Sequence, residues 1–354
     1  IELYHINLQS NGEEGYALVS ADRRSSGVLA YIPKGTINDT VEVRGMACML
    51  NISKKAMIAD VEVYNHLIDS LKDQTINKIC AFENISIDEY DVCSYIERFD
   101  ERDLIEESQT RLGIIGGGEV YNINPWKKIE PLLTTTGGQE YPYNSAVPYF
   151  CSNKTEKYRG RAAAGCVSVA TEQILAFFKK QPSNSSISYD YNRILVNPTV
   201  SLVDYLAVQA VGNLIADIGK NVYMQYSCSG SRAESYYAIE FLKDNFGMKA
   251  DKVNNFNFLV VPTVLGMDGI VYAIGTDRTY GGHAWVIDGY KPYGISNPNY
   301  VDQYPNNMDV HCNFGWSGYG NGFYCIYRSR TYLNKVSVDK YTFEGLQGWG
   351  VYGT

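Results

Sequence analysis

The 354-residue chain contains no run of eighteen apolar residues, so it offers no membrane-spanning helix. Positive charge is scarce: 31 Lys and Arg face 39 Asp and Glu, a net −8. That balance argues against a nucleic-acid partner, which requires a basic face. Histidine is rarer still, at four: His5, His66, His283 and His311. The eight cysteines (48, 80, 93, 151, 166, 228, 312, 325) form no C-x-x-C pair, which argues against a zinc ribbon or a redox dithiol. At this density cysteine cannot supply a disulfide scaffold, and most of these residues are expected as buried thiols. The glycines at 113 and 116–118 lack both a following Gly-Lys-Ser/Thr and G-x-G-x-x-G spacing. A phosphate loop is therefore excluded there in favour of a flexible junction. The chain opens on Ile1 rather than Met, which is consistent with removal of an N-terminal segment on export.

What is present is an ordinary globular composition, 45% hydrophobic and 20% charged. The length fits two units. In residues 1 to about 110, Tyr16–Ser20 and Val28–Ile32 read as strands around a polar turn. Residues 54–72 carry Met57, Ile58, Val61, Tyr64, Leu67, Ile68 and Leu71 at helical spacing. We place a linker at about 108–128. Beyond it, three helices are expected: 167–180 ended by Pro182, 202–218 capped by Gly219, and 233–246 capped by Gly247. The pattern then shifts to period two, giving strands at 270–274, 283–287, 309–313 and 323–327. Helices followed by antiparallel strands imply an α+β fold with a cleft between two lobes.

Two residues in this plan carry chemistry. Cys166 stands at the start of the first helix, where the partial positive charge of the N-terminus favours thiolate over thiol. His283 leads a strand just over a hundred residues later and supplies a base. A cysteine chosen blindly is far more often a small buried apolar residue, and a strand histidine is more often structural. The flanking Gly165 and Gly281-Gly282 and the order of the two blocks shift that balance. His311 beside Cys312 invites a metal reading, but no second ligand pair has zinc spacing, so it is read as a strand residue.

Four blocks stand in order: Gln139-Glu140-Tyr141-Pro142-Tyr143-Asn144, Ala164-Gly165-Cys166 through Ile174, Gly281-Gly282-His283 through Gly289, and His311-Cys312-Asn313-Phe314-Gly315-Trp316-Ser317-Gly318 with Asn321-Gly322-Phe323. Together they resemble the streptopain family of bacterial cysteine peptidases. The leader around Tyr16–Gly35 is similar to the family's propeptide. The resemblance implies a papain-like α+β fold: an inhibitory prodomain over 1–120 with its linker, then a catalytic domain over 121–354. It implies a secreted or surface-located bacterial endopeptidase made as a zymogen. Protein or peptide would be the substrate and the chain's own prodomain an intramolecular inhibitor, with no cofactor and no metal.

By the same resemblance Cys166 matches the nucleophile, His283 the base and acid, and Gln139 the oxyanion donor. Trp316 matches an aromatic beside the histidine, and Asn313 is the candidate third group on the imidazole. Gly282, Ser231 and Arg232 match substrate-binding positions. Three features depart from the family pattern. Phe314 stands where Trp is usual, Arg232 where Ser is expected, and residues 252–269 are short and lack the acidic helix expected before the strand. These departures leave open two other classes: an impaired papain-like binding or inhibitory protein, and an acyl transferase of transglutaminase type. The thirty tyrosines acquire no role from sequence.

Overall fold

A computed structural model of the chain describes residues 2–10, 12–22, 28–36, 44–70, 111–115, 119–123, 127–152, 157–183, 186–195, 204–253, 260–277, 281–293, 307–328 and 346–353. Its centre is a nine-stranded sheet in the order β1-β2-β3-β10-β9-β8-β7-β11-β6. These strands are β1 (Leu3–Ser10), β2 (Glu13–Ser20), β3 (Val28–Ile32), β6 (Lys249–Val253), β7 (Ile270–Asp277), β8 (Gly281–Tyr293), β9 (Asn307–Asn313), β10 (Gly322–Arg328) and β11 (Leu346–Tyr352). Every pairing in it is antiparallel. A separate pair joins β4 (Arg111–Ile115) to β5 (Glu119–Ile123).

Both faces of the central strands are apolar, because both are covered. Side chains alternate across a strand. Ile270, Tyr272, Ala284 and Val286 therefore join one buried cluster, while Val271, Ala273, Trp285 and Ile287 join the other. The first cluster is completed by a helical lobe: α2 (Cys166–Phe178), α3 (Tyr191–Ile194), α4 (Tyr205–Asn221) and α5 (Ser235–Phe246). The second is completed by α1 (Arg44–Ser70) and α6 (Val260–Gly266).

Helix α2 is the axis of the helical lobe, with Val167 through Ala176 all buried. It ends at Lys179, whose backbone is left-handed. Helix α4 starts on Asp204, whose carboxylate accepts from the Leu206 and Ala207 amides. Helix α5 ends on Gly247 as expected. Helix α4, by contrast, runs through Gly219 to Asn221. Gly219 answers a packing need rather than a cap: a Cβ there would lie 2.0 Å from the Tyr226 hydroxyl.

The leader adds β1–β3 to the sheet through Phe323↔Tyr31 and Tyr324↔Ala30. Helix α1 lays Met46, Met49, Ile52 and Met57 into the same cluster as Trp285, Phe314 and Ile326. Ser53 Oγ donates to the Cys325 carbonyl at 2.7 Å. The expected linker holds the β4–β5 hairpin, because β-rich Leu112-Gly113-Ile114-Ile115 and Val120-Tyr121 flank the glycines. The short segment at 252–269 holds β6's end and α6. Among the described residues no helix is long and apolar enough to cross a membrane.

Candidate active site

The local fold explains how the first two blocks are brought together. Asn144 is fully buried, and its Nδ2 donates to the carbonyls of Tyr158 (3.2 Å) and Ala162 (3.1 Å). The Gln139 carbonyl accepts from the Ala164 amide at 2.9 Å. The strip carrying Gln139 is thus fastened along the strip that runs into Cys166. Gly165 makes the corner, with φ at +89. That φ favours glycine, and a Cβ there would also fall 2.8 Å from the Met224 sulfur. Cys166 then opens α2 with a half-buried thiol, and no acidic side chain occupies the first turn.

His283 is buried near the start of β8. Its Nε2 lies 3.0 Å from the Phe314 carbonyl. The imidazole stacks with Trp316 (6.4 Å between centroids, 20° between planes) and with Trp285 (6.2 Å, 15°). Two indoles thus flank the ring and fix its plane. Trp285 is a neighbour that the sequence reading missed, although it lies two residues on and hence on the same strand face. The start of α1 presses on this ring too: a Cβ on Gly45 would fall 2.6 Å from His283 Cδ2 and 2.6 Å from the Phe314 ring.

One cavity of about 910 Å³ gathers these groups. Cys166, His283, Gln139, Trp316, Gly282, Ser231 and Arg232 all line it. Its outer wall is the 225–232 turn, closed by reciprocal Gln225 and Arg232 backbone bonds of 2.9 and 3.1 Å. Ser231 Oγ donates to the Ala163 carbonyl at 2.6 Å and receives the Ser227 amide at 3.0 Å. Cys228 in this wall is joined to Cys151 by a disulfide. That corrects the expectation of mostly free thiols for these two, a pairing that a sequence separation of 77 conceals. Cys48, Cys312 and Cys325 are buried thiols, while Cys80 and Cys93 lie outside the described residues. Burial pushes the Cys312 thiol well above its usual range.

Asn313 stands outside the cavity lining. Its Nδ2 donates to the Thr135 carbonyl (2.7 Å), and its Oδ1 accepts from Gln173 Nε2 (2.8 Å) and the Gly315 amide (3.4 Å). The Phe314 carbonyl, one residue on, is the group that lies against the imidazole Nε2. Asn313 staples the strip leading to Gln139 between α2 and the β9–β10 turn, and the Ser317 amide repeats the fastening on the Gly137 carbonyl at 2.6 Å. His311 on β9 pairs with the buried Asp288 at 2.6 Å, and no metal-ligating cluster is found among the described residues. Deeper in α2, Glu172 is fully buried with neither carboxyl oxygen hydrogen-bonded, and desolvation pushes its pKa up to about 8.

A thiol at the head of a central helix and a strand-borne imidazole, lining one cavity between helices and sheet, are the arrangement of a papain-like fold. The chain belongs to the peptidase C10 family, whose model matches residues 138–324. It is 28% identical over 236 residues to streptopain of Streptococcus pyogenes, covering 55% of each. It is 26% identical over 223 residues to the thiol protease/hemagglutinin PrtT of Porphyromonas gingivalis, covering 54% of this chain and 23% of that protein. The chain spans about half the length of streptopain and less of PrtT. The solved prointerpain A fragment of Prevotella intermedia covers the whole chain at 19% identity with a TM-score of 0.56, a likeness of fold that includes the leader.

Proposed function

We propose that this protein is a cysteine endopeptidase in zymogen form, exported by a bacterium and acting on proteins. The observation that carries the reading is one cavity lined by the helix-borne Cys166 thiol, the indole-flanked His283 and Gln139. Cys166 thiolate attacks the peptide carbonyl, and the Gln139 side chain and Cys166 N–H hold the oxyanion. His283 protonates the leaving amine, then activates the water that releases the acyl-enzyme. Gly282, Ser231 and Arg232 hold substrate in the cavity. Names of the relatives, a streptopain and a thiol protease, agree with this class of reaction.

The leader, residues 1–120, is the inhibitory prodomain, and 121–354 is the catalytic domain. Gly45 against the imidazole and the Phe314 carbonyl on Nε2 support a silenced base in the docked state. Cutting near 108–131 and undocking α1 removes the first restraint. The test is titration with a peptide bearing a thiol-reactive electrophile, before and after processing. Labelling confined to Cys166, and faster after processing, is expected. Equal labelling of Cys312, or no labelling of Cys166, overturns the reading.

A further inference from the structure

Outside the cleft lies a run of exposed tyrosines. Tyr236 lines the Cys166 cavity, yet it is 59% exposed. Its ring stands 5.8 Å from that of Tyr237, and Tyr237 stands 4.9 Å from Tyr223, both in edge contacts. Tyr223 then lines a second cavity of about 340 Å³, walled also by Pro148, Met224 and Tyr226. The two cavities are thus joined by three rings in two consecutive aromatic contacts. They are joined below the surface as well, because the Met224 side chain in the second packs on Gly165, next to Cys166.

Two further facts mark the run as more than scattered surface rings. Tyr223 is 71% exposed, and its backbone is left-handed at φ +55, a conformation that non-glycine residues avoid. Tyr236 and Tyr237 are adjacent on α5, at 59% and 41% exposure, and Tyr237 turns toward Tyr223 rather than into the core. Contiguous exposed apolar surface of this kind marks a binding site. Tyrosine suits peptide ligands, since the ring gives area at little entropic cost and the hydroxyl remains solvated.

We propose that the Tyr236–Tyr237–Tyr223 run and the cavity beyond it form a remote extension of the substrate cleft, taking an extended polypeptide with a bulky apolar side chain several residues from the scissile bond. The occupant follows from continuity with the cleft: a chain lying over Cys166 and leaving past Tyr236 meets the other two rings in turn. Ring spacings of 4.9 and 5.8 Å exceed the roughly 3.3–3.6 Å advance of one extended residue. The three rings therefore address about three or four residues, and the second cavity the next side chain. The inference rests on the peptidase reading and adds a preference for long, partly apolar substrates.

The double variant Tyr223→Ala/Tyr237→Ala tests it in the processed chain, with Cys166 labelling by the short peptide electrophile as a control. The substrates are a three-residue chromogenic peptide and a twelve-residue quenched fluorescent peptide carrying leucine and phenylalanine on both sides of the cleaved bond. The variant should label Cys166 and cleave the short peptide as the wild type does. On the long peptide its kcat/KM should fall by about tenfold, mainly through KM. Equal rates on both substrates, or an equal loss on both, overturns the extension. An oligosaccharide that binds the wild type but not the variant, while long-peptide cleavage is unchanged, also overturns it. Failure of Cys166 to label in the wild type would instead refute the peptidase reading itself.

Discussion

The two faces of the central sheet are equally apolar but are covered in opposite ways. One face meets α2, α4 and α5, which belong to the same continuous unit as the cavity walls. Its cover is rich in Val, Ile and Ala, residues that fix their packing through few rotamers. The other face meets α1 of the leader, whose contribution includes Met46, Met49 and Met57. Methionine is flexible and adapts to irregular gaps. The thiol comes from the first cover, while His283 shares strand parity with Trp285 and Ile287 on the second. One face therefore holds the Cys166 thiol in place, and the other is where helix α1 of the leader packs against His283.

The sharpest break of this comparison is to remove one chemical group from each side. Cys166→Ala and His283→Ala should each lower peptide hydrolysis by about 10⁴-fold or more in the processed chain, with circular dichroism unchanged. His311→Ala, whose target is bonded to Asp288, should have a small effect on rate. A His283→Ala enzyme that retains activity would place the base elsewhere.

Gln139→Ala should lower kcat by about 10²–10³-fold with KM less affected, because an oxyanion donor acts in the transition state. Steady-state kinetics on the short peptide measure the split. A change confined to KM would make Gln139 a substrate-positioning residue.

Gly45→Leu addresses the removable cover alone. The added side chain collides with the His283 and Phe314 rings in the docked state. Loss of about 1.4 kcal/mol in docking raises the undocked fraction about tenfold. The uncut variant should therefore hydrolyse peptide about tenfold faster than the uncut wild type. The processed enzymes, now identical in sequence, should be indistinguishable. If the uncut rates are equal, α1 does not restrain the base.

The last effect bears on stability rather than on rate and belongs to the helical cover. Glu172 has a folded-state pKa near 8, above its ordinary value of 4.5, so the folded chain holds the extra proton between these limits. Its contribution to stability is intact below about pH 4.5 and declines as pH rises toward 8, by an amount on the order of 5 kcal/mol. Glu172→Met removes that decline, and denaturant midpoints across pH 5–9 should diverge in favour of the variant as pH rises. Parallel pH profiles would mean that the carboxylate finds a partner on ionising.

Much of this was legible in the sequence where local rules suffice. Periodicity located α2 and α5, and the period-two segments became β7 to β10. The blocks around Cys166, His283 and Gln139 converge on one cavity, as their resemblance to the streptopain family implied. Strand β11 was not legible, because Gly348 and Gly350 break it and Val351 is its one β-branched residue. Helix α6 was hidden by Pro262 and three valines, poor helix formers that fit because they are buried. Gly219 misled as a cap because its constraint is the Tyr226 hydroxyl, which is distant in kind from any helix-end signal. The Cys151–Cys228 bond, the Asn313 staple and the leader's place in the sheet all join residues far apart in sequence, and no local pattern encodes such partners.

The seam between β3 and β10 has one more consequence. It is registered by two residue pairs, against seven between β8 and β9. While the leader is in place, β10 is an interior strand. Once the leader departs, the side of β10 that faced Tyr31 and Ala30 becomes a sheet edge with open backbone donors and acceptors. An open edge is a template for any extended chain that arrives, including a departing leader strand or a neighbouring molecule. Activation would thus trade a short internal seam for an adhesive border. The form released from its leader should self-associate more readily than the intact chain at equal concentration.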